Sequence, residues 1–222
     1  MQLADFYTQH PRLTKSLRKF VEEYQEQMDA VTYAEFLQHL SDEITAHSLN
    51  FQALTSNEER ARMLHKLVDQ EILSGANVPC SCKKGCSACC HMEVEITSYE
   101  ADILKDLVLA GHKIDADRLL RQSQRELQDP LWKQGARNLE GQCVFLDQEG
   151  SCSIYEHRPI MCRRHSVSSP AKNCFTLDAP ITVRYFPRVD LLISAANEDA
   201  GVRIGPMAKM LVRALNEENK GK

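Results

Sequence analysis

The chain has 222 residues, 43% hydrophobic and 26% charged, with a formal net charge of -4. That length buries a sizeable core, and the slight acidity argues against a general nucleic-acid binder, which needs a basic face. The apolar runs are only a few residues long, against the roughly 20 that a membrane-spanning helix needs, and the start MQLADFYTQHPRLTK lacks the basic-then-apolar order of a secretory leader, so a cytoplasmic protein with no membrane partner is expected.

Residues 12–75 predict three helices. Leu13, Leu17, Phe20, Val21, Tyr24 and Met28 recur at helical spacing in the first. The second is expected to open on a capping box of Thr32 and Glu35, with Tyr33, Phe36, Leu37, Leu40 and Ile44 inward. Ser56 and Glu59 form the same signal for the third, lined by Ala61, Leu64, Leu67, Val68 and Ile72. Gly75 suits a left-handed residue just past its end, and Pro79 prevents continuation. His10, His39, His47 and His65 have no cysteine near them and read as structural or solvated. An N-terminal helical region, 1–78, is thus set apart from a cysteine-rich domain, 79–222.

Cys80, Cys82, Cys86, Cys89 and Cys90 fall within eleven positions, followed by Cys143, Cys152, Cys162 and Cys174. Nine is an odd number, unsuited to a closed disulfide framework, and clustered cysteines in a reducing compartment more often bind metal or do catalysis. Thiolate sulfur selects Zn(II), iron–sulfur clusters or Cu(I). The spacing Cys82-x3-Cys86-x2-Cys89 lets one loop present three sulfurs, and Gly85 gives it a backbone freedom other residues lack. Cys89 and Cys90 would point in opposite directions in an extended chain, which leaves one centre or two. A single site would take Cys82, Cys86, Cys89 or Cys90, and a sulfur from Cys152 or Cys162; Cys143 adds a further candidate ligand.

Between these groups, Met92–Ile96 alternates as a short strand. Thr97 and Glu100 open a helix that ends at Gly111, and a weaker helix is expected over 115–128 with Leu119, Leu120 and Leu127 inward. Trp132 is expected at a helix junction. Cys143–Leu146 and Cys152–Tyr155 predict two strands of a hairpin around DQEGS, and Pro159 starts a turn that carries Cys162. Ile181–Phe186 reads as another strand, followed by helices at about 188–200 and 206–218 and a frayed tail. The fold class is mainly α, with a small β-hairpin and short strands around a cysteine-rich metal site. Arg158, Arg163 and Arg164 beside Cys162 offer an anion pocket, or else neutralise thiolates and pair with acids such as Glu156. His91 and His165 are candidate ligands or hydrogen-bond donors to ligands. No serine–histidine–acid set, phosphate loop or HExxH motif is present.

Cys82, Cys86, Cys89 and Cys90, Glu100, Cys143-Val144-Phe145-Leu146, the run Cys152 to Pro159 and Cys162-Arg163 together resemble the YkgJ-like CxxxCxxCC cysteine-cluster family of zinc- or iron-chelating domains. The likeness covers about residues 80–165 and leaves Cys80 and Cys174 outside its pattern. It implies bound zinc or iron, with a 4Fe-4S cluster as one form. The first reading is a metal that is chiefly structural or that presents a surface to a protein partner. A similar domain in flagellin lysine N-methylases implies the alternative, an iron–sulfur-dependent protein methyltransferase using S-adenosylmethionine. The x3-x2 spacing is also that of radical enzymes using the same donor, but the alternating strands and helices of their barrel are missing. Metal storage or delivery is a third reading.

Overall fold

The computed structural model describes residues 1–83, 85–126, 129 and 139–220. In chain order its elements are α1 (Leu3–Gln9), α2 (Lys15–Gln25), α3 (Ala30–Gln52), α4 (Asn57–Ser74), β1 (Glu95–Thr97), α5 (Ser98–Leu109), α6 (Ala116–Ser123), α7 (Ile160–Arg164), α8 (Pro187–Asn197), β2 (Ile204–Pro206) and α9 (Met207–Lys220). The protein is helix-dominated α+β, as its periodicities predict. It divides into two compact units, Met1–Gly75 with Tyr185–Val202, and Ala76–Arg184 with Arg203–Lys222.

The first unit is a helical assembly in which α8 packs against α2, α3 and α4. Leu17, Val21, Leu37, Ile44, Leu64, Val68, Val189 and Leu191 are buried at its centre. α1 lies ahead of the expected helices and buries Phe6. Thr14 caps α2, accepting from Leu17 N at 3.1 Å while its hydroxyl donates to Asp190 at 2.9 Å. α3 begins earlier than its expected Thr32 box, because Asp29 accepts from both Val31 N and Thr32 N, at 2.9 and 3.1 Å. A carboxylate three residues upstream satisfies the free N–H groups first and leaves Thr32 inside the helix. The Ser56–Glu59 box opens α4 as expected. Gly75 differs from expectation: its φ is -86°, outside the left-handed region. A Cβ there would stand 2.6 Å from Phe186 Cε1, so glycine makes room for a ring rather than for a turn.

In the second unit β1 pairs antiparallel with β2, with Ile96 opposite Gly205. Thr97 and Glu100 box the start of α5, and Gly111, at φ +98°, follows its end. α9 packs against α5 and α6. Ile96, Leu104, Leu119, Met207 and Leu211 form a core that also takes in Val144, Phe145 and Ile154. The apolar residues between the later cysteines therefore anchor them to the helices. The expected 143–155 hairpin reduces to one bridge, Leu146 with Cys152. Its turn is closed by Asp147, which accepts from Glu149 N and Ser151 N at 2.9 and 2.7 Å. The expected strand at 181–186 likewise contributes one bridge, Val167 with Val183. α6 stops at Ser123, short of the expected 128; Leu127 and Trp132 lie outside the described residues. Among the described residues no helix is long and apolar enough to cross a membrane.

Candidate metal centre

Four stretches of the second unit carry the cysteines, and backbone hydrogen bonds set where each one lies. Ser81, next to Cys82, donates its N–H to Val167 O at 2.8 Å and its hydroxyl to Ser168 O at 3.2 Å. Cys86 closes a tight turn by donating to Lys83 O at 2.9 Å. Gly85, at φ +83°, supplies the left-handed residue in that turn. Cys89 and Cys90 sit on the 3₁₀ turn Ala88–His91, whose Ala88 is buried. Cys143 N donates to Cys90 O at 2.7 Å. Cys152 lies at the bridge to Leu146, Cys162 on α7, and Cys174 on the 3₁₀ turn Ala171–Phe175, which packs against the turn bearing Cys89 and Cys90.

Cys89 is the common neighbour. Cys82, Cys90, Cys143, Cys152, Cys162 and Cys174 all lie within its electrostatic reach. The Cys90 thiol donates to Cys89, which pulls the Cys89 pKa from an ordinary 9.0 down to about 7, assisted by the Arg158 charge. The same hydrogen bond, followed by burial, pushes Cys90 far up. Burial raises Cys82 to about 11 and Cys143 to about 12, and holds Cys162 well above its ordinary value. Cys152 and Cys174 also move up, first through burial. The site therefore holds one sulfur poised to ionise among several that burial keeps protonated.

Arg158 stacks its guanidinium 3.6 Å from the Tyr155 ring centroid and donates to Tyr155 O at 3.1 Å. Its charge favours the thiolates of both Cys89 and Cys152. Arg163 folds back on its own loop, donating to Arg158 O at 2.7 Å and to Glu156 O. Arg158 and Arg163 are thus engaged with backbone carbonyls, and Arg164 contributes a charge that, after burial, lowers the His165 pKa. His91 contacts Ser87 O at 3.1 Å.

All nine cysteines are free thiols. Among the described residues, no three Cys, His, Asp or Glu side chains are grouped so that they could hold a metal ion as they stand. The seven sequence-predicted sulfurs share a neighbourhood without forming a coordination sphere. Their chemistry nevertheless fits a thiophilic cation: desolvation opposes the ionisation of these half-buried soft donors, and a bound cation reverses that. Cys174, at the end of the expected 143–174 ligand stretch but outside the family pattern, joins them through the packing of two 3₁₀ turns. Spacing did not show that Glu100, the cap of α5, also accepts from Ile160 N at the start of α7.

No curated protein and no solved structure matches the chain. Residues 81–181, which hold every cysteine except Cys80, match the CxxCxxCC family model, described as "Putative zinc- or iron-chelating domain", and this is the family that the cysteine order resembles.

Proposed function

We propose that the cysteine domain binds zinc or iron through thiolates drawn from Cys82, Cys86, Cys89, Cys90, Cys143, Cys152 and Cys162, and that the metal first serves to hold these segments together. One observation carries this reading: sulfurs from stretches some 50 to 80 residues apart in sequence lie within electrostatic reach of Cys89. A thiol packs as a small apolar group, and this many half-buried thiols in one place point to chemistry rather than core. When bound, the metal would act as a soft cation that keeps the sulfurs deprotonated. Cys89, lowered to about 7, is the sulfur best suited to make the first contact. The turn at Gly85 would bring Cys82 and Cys86 to it from the near side of the sequence. The Val144, Phe145 and Ile154 anchors would hold Cys143 and Cys152 against it from the other. A cysteine-only set normally makes a closed structural site.

Anaerobic purification with elemental analysis and a visible spectrum tests the reading. Zinc or iron bound in simple ratio to the chain, and lost when the cysteines are replaced, is the expected result. Metal-free protein that also refuses added zinc and iron overturns it. The resemblance to flagellin lysine N-methylase domains supports iron–sulfur methyl transfer as the second reading. That reading requires brown protein and measurable binding of S-adenosylmethionine, and colourless protein holding zinc alone rejects it.

A further inference from the structure

We propose that Glu100 is the positioning residue that aims Cys162 at the metal, an inference that rests on the thiolate reading above. Glu100 is 4% exposed and stands in the first turn of α5. One of its oxygens does what a capping box requires, accepting from Thr97 N at 2.9 Å and from the Thr97 hydroxyl at 3.0 Å. The other accepts from Ile160 N at 2.7 Å, sixty residues further along the chain. The comparison within this protein is Glu59, whose single Oε2 serves Thr55 and Ser56 beside its own helix.

Ile160 is the first residue of α7, and its N–H is one of those a helix start leaves without an internal partner. α7 has no side-chain cap of its own, because Pro159 occupies that position. The carboxylate of α5 takes the place of the missing cap, in a buried setting where an unpaired N–H is costly. Two residues later comes Cys162, whose N–H donates to Pro159 O at 2.9 Å and whose sulfur lies within electrostatic reach of Glu100. On the other side, Arg163 ties the same turn to Arg158 O at 2.7 Å. α7 also packs on β1. Cys162 is therefore carried on a five-residue helix whose start is fixed by one carboxylate. Metal–ligand distances tolerate only about 0.2 Å, so a loose α7 would lose that sulfur before it lost the fold.

The experiment is a cobalt(II) titration of the full chain under anaerobic conditions, read by sulfur-to-cobalt charge-transfer absorption, together with thermal melting of the cobalt-loaded protein. Glu100→Gln retains the side chain's size but has one acceptor oxygen in place of two, so it serves Thr97 or Ile160 and not both. Ile160→Pro removes the donor from the other end. The ring suits a helix start, and Pro159, at φ -56° and ψ 155°, is already in the conformation that precedes a proline. Thr97→Ala weakens the cap of α5 but leaves the Ile160 contact in place.

Expected are a 10- to 100-fold loss of cobalt affinity in Glu100→Gln and Ile160→Pro, the range seen when a ligand's supporting hydrogen bond is removed, with weaker charge-transfer absorption. Thr97→Ala should melt at lower temperature yet bind cobalt as the wild type does. Wild-type affinity in Ile160→Pro overturns the assignment, and so does an equal loss in Thr97→Ala, which would make the effect one of general stability. A wild-type chain that takes up no cobalt overturns the metal reading itself.

Discussion

The backbone N–H of Cys143 donates to the carbonyl of Cys90 at 2.7 Å. This contact joins the first cysteine loop to the later one through the main chain and sets their register. Cys143 is followed at once by Val144 and Phe145, both buried in the core of the second unit. Structural zinc contributes on the order of 10–16 kcal/mol in small peptides, as much as the whole stability of a typical domain, about 5–15 kcal/mol. Chelation should therefore expose residues 80–175 to protease and reduce near-UV circular dichroism, while the helices of the first unit keep their far-UV signal. Unchanged protease resistance after complete metal removal would reject a structural role.

Metal affinity should rise steeply with pH. Protons and metal compete for the same sulfurs, and burial lifts Cys82 to about 11 and Cys143 to about 12. Cys89, at about 7, is already partly ionised at neutral pH. Each thiol still protonated must release its proton on binding. The apparent dissociation constant for zinc should fall by about tenfold per pH unit for each proton released, measured by chelator competition between pH 6.5 and 8.5. A flat profile would mean that the sulfurs are not the ligands.

His10 makes the first unit acid-sensitive. Its Nε2 lies 2.8 Å from Ser41 Oγ, and its Nδ1 lies 3.6 Å from Glu198 Oε1. Burial lowers the His10 pKa and raises that of Glu198, moving both toward their neutral forms. Burial therefore works against an ion pair between them. For a histidine with a depressed pKa the stability is present above the ordinary value of 6.5 and is lost as the pH falls through the folded value. The melting temperature should drop between pH 7 and 5, and His10→Gln should flatten that part of the profile. An unchanged slope in His10→Gln would place the acid sensitivity elsewhere.

The metal region was legible because cysteine spacing survives as sequence, whereas the surroundings of each sulfur do not. Thr97 with Glu100 and Ser56 with Glu59 read alike as capping boxes, and both form. Nothing local distinguishes the one whose second oxygen reaches Ile160. The helix expected at about 188–200 forms as α8, but nothing local showed that it would join the N-terminal helices. The strands expected around Cys143 and Cys152 reduce to a single bridge, because a five-residue turn pinned by Asp147 satisfies their backbone instead. The small sheet forms instead between segments 109 residues apart, Ile96 and Gly205, a pairing that no short-range signal announces.

Gly75 offers a test in which backbone and packing act in opposite directions. At φ -86° and ψ 18° the position accepts any L-residue without strain. On backbone entropy alone, alanine should stabilise the protein by about 0.4–1 kcal/mol. The added Cβ would stand 2.6 Å from Phe186 Cε1 and 3.3 Å from Cδ1. Overpacking of this kind costs about 1–3 kcal/mol. Phe186 is half-buried and its ring has some room to turn, which favours the lower end. Gly75→Ala should therefore be destabilising by at most about 0.6 kcal/mol, and Phe186→Leu should remove the penalty, so that Gly75→Ala becomes stabilising in that background. Denaturant unfolding of the four proteins in the cycle measures the coupling. Additive effects would show that the ring yields at no cost and that Gly75 has no packing role.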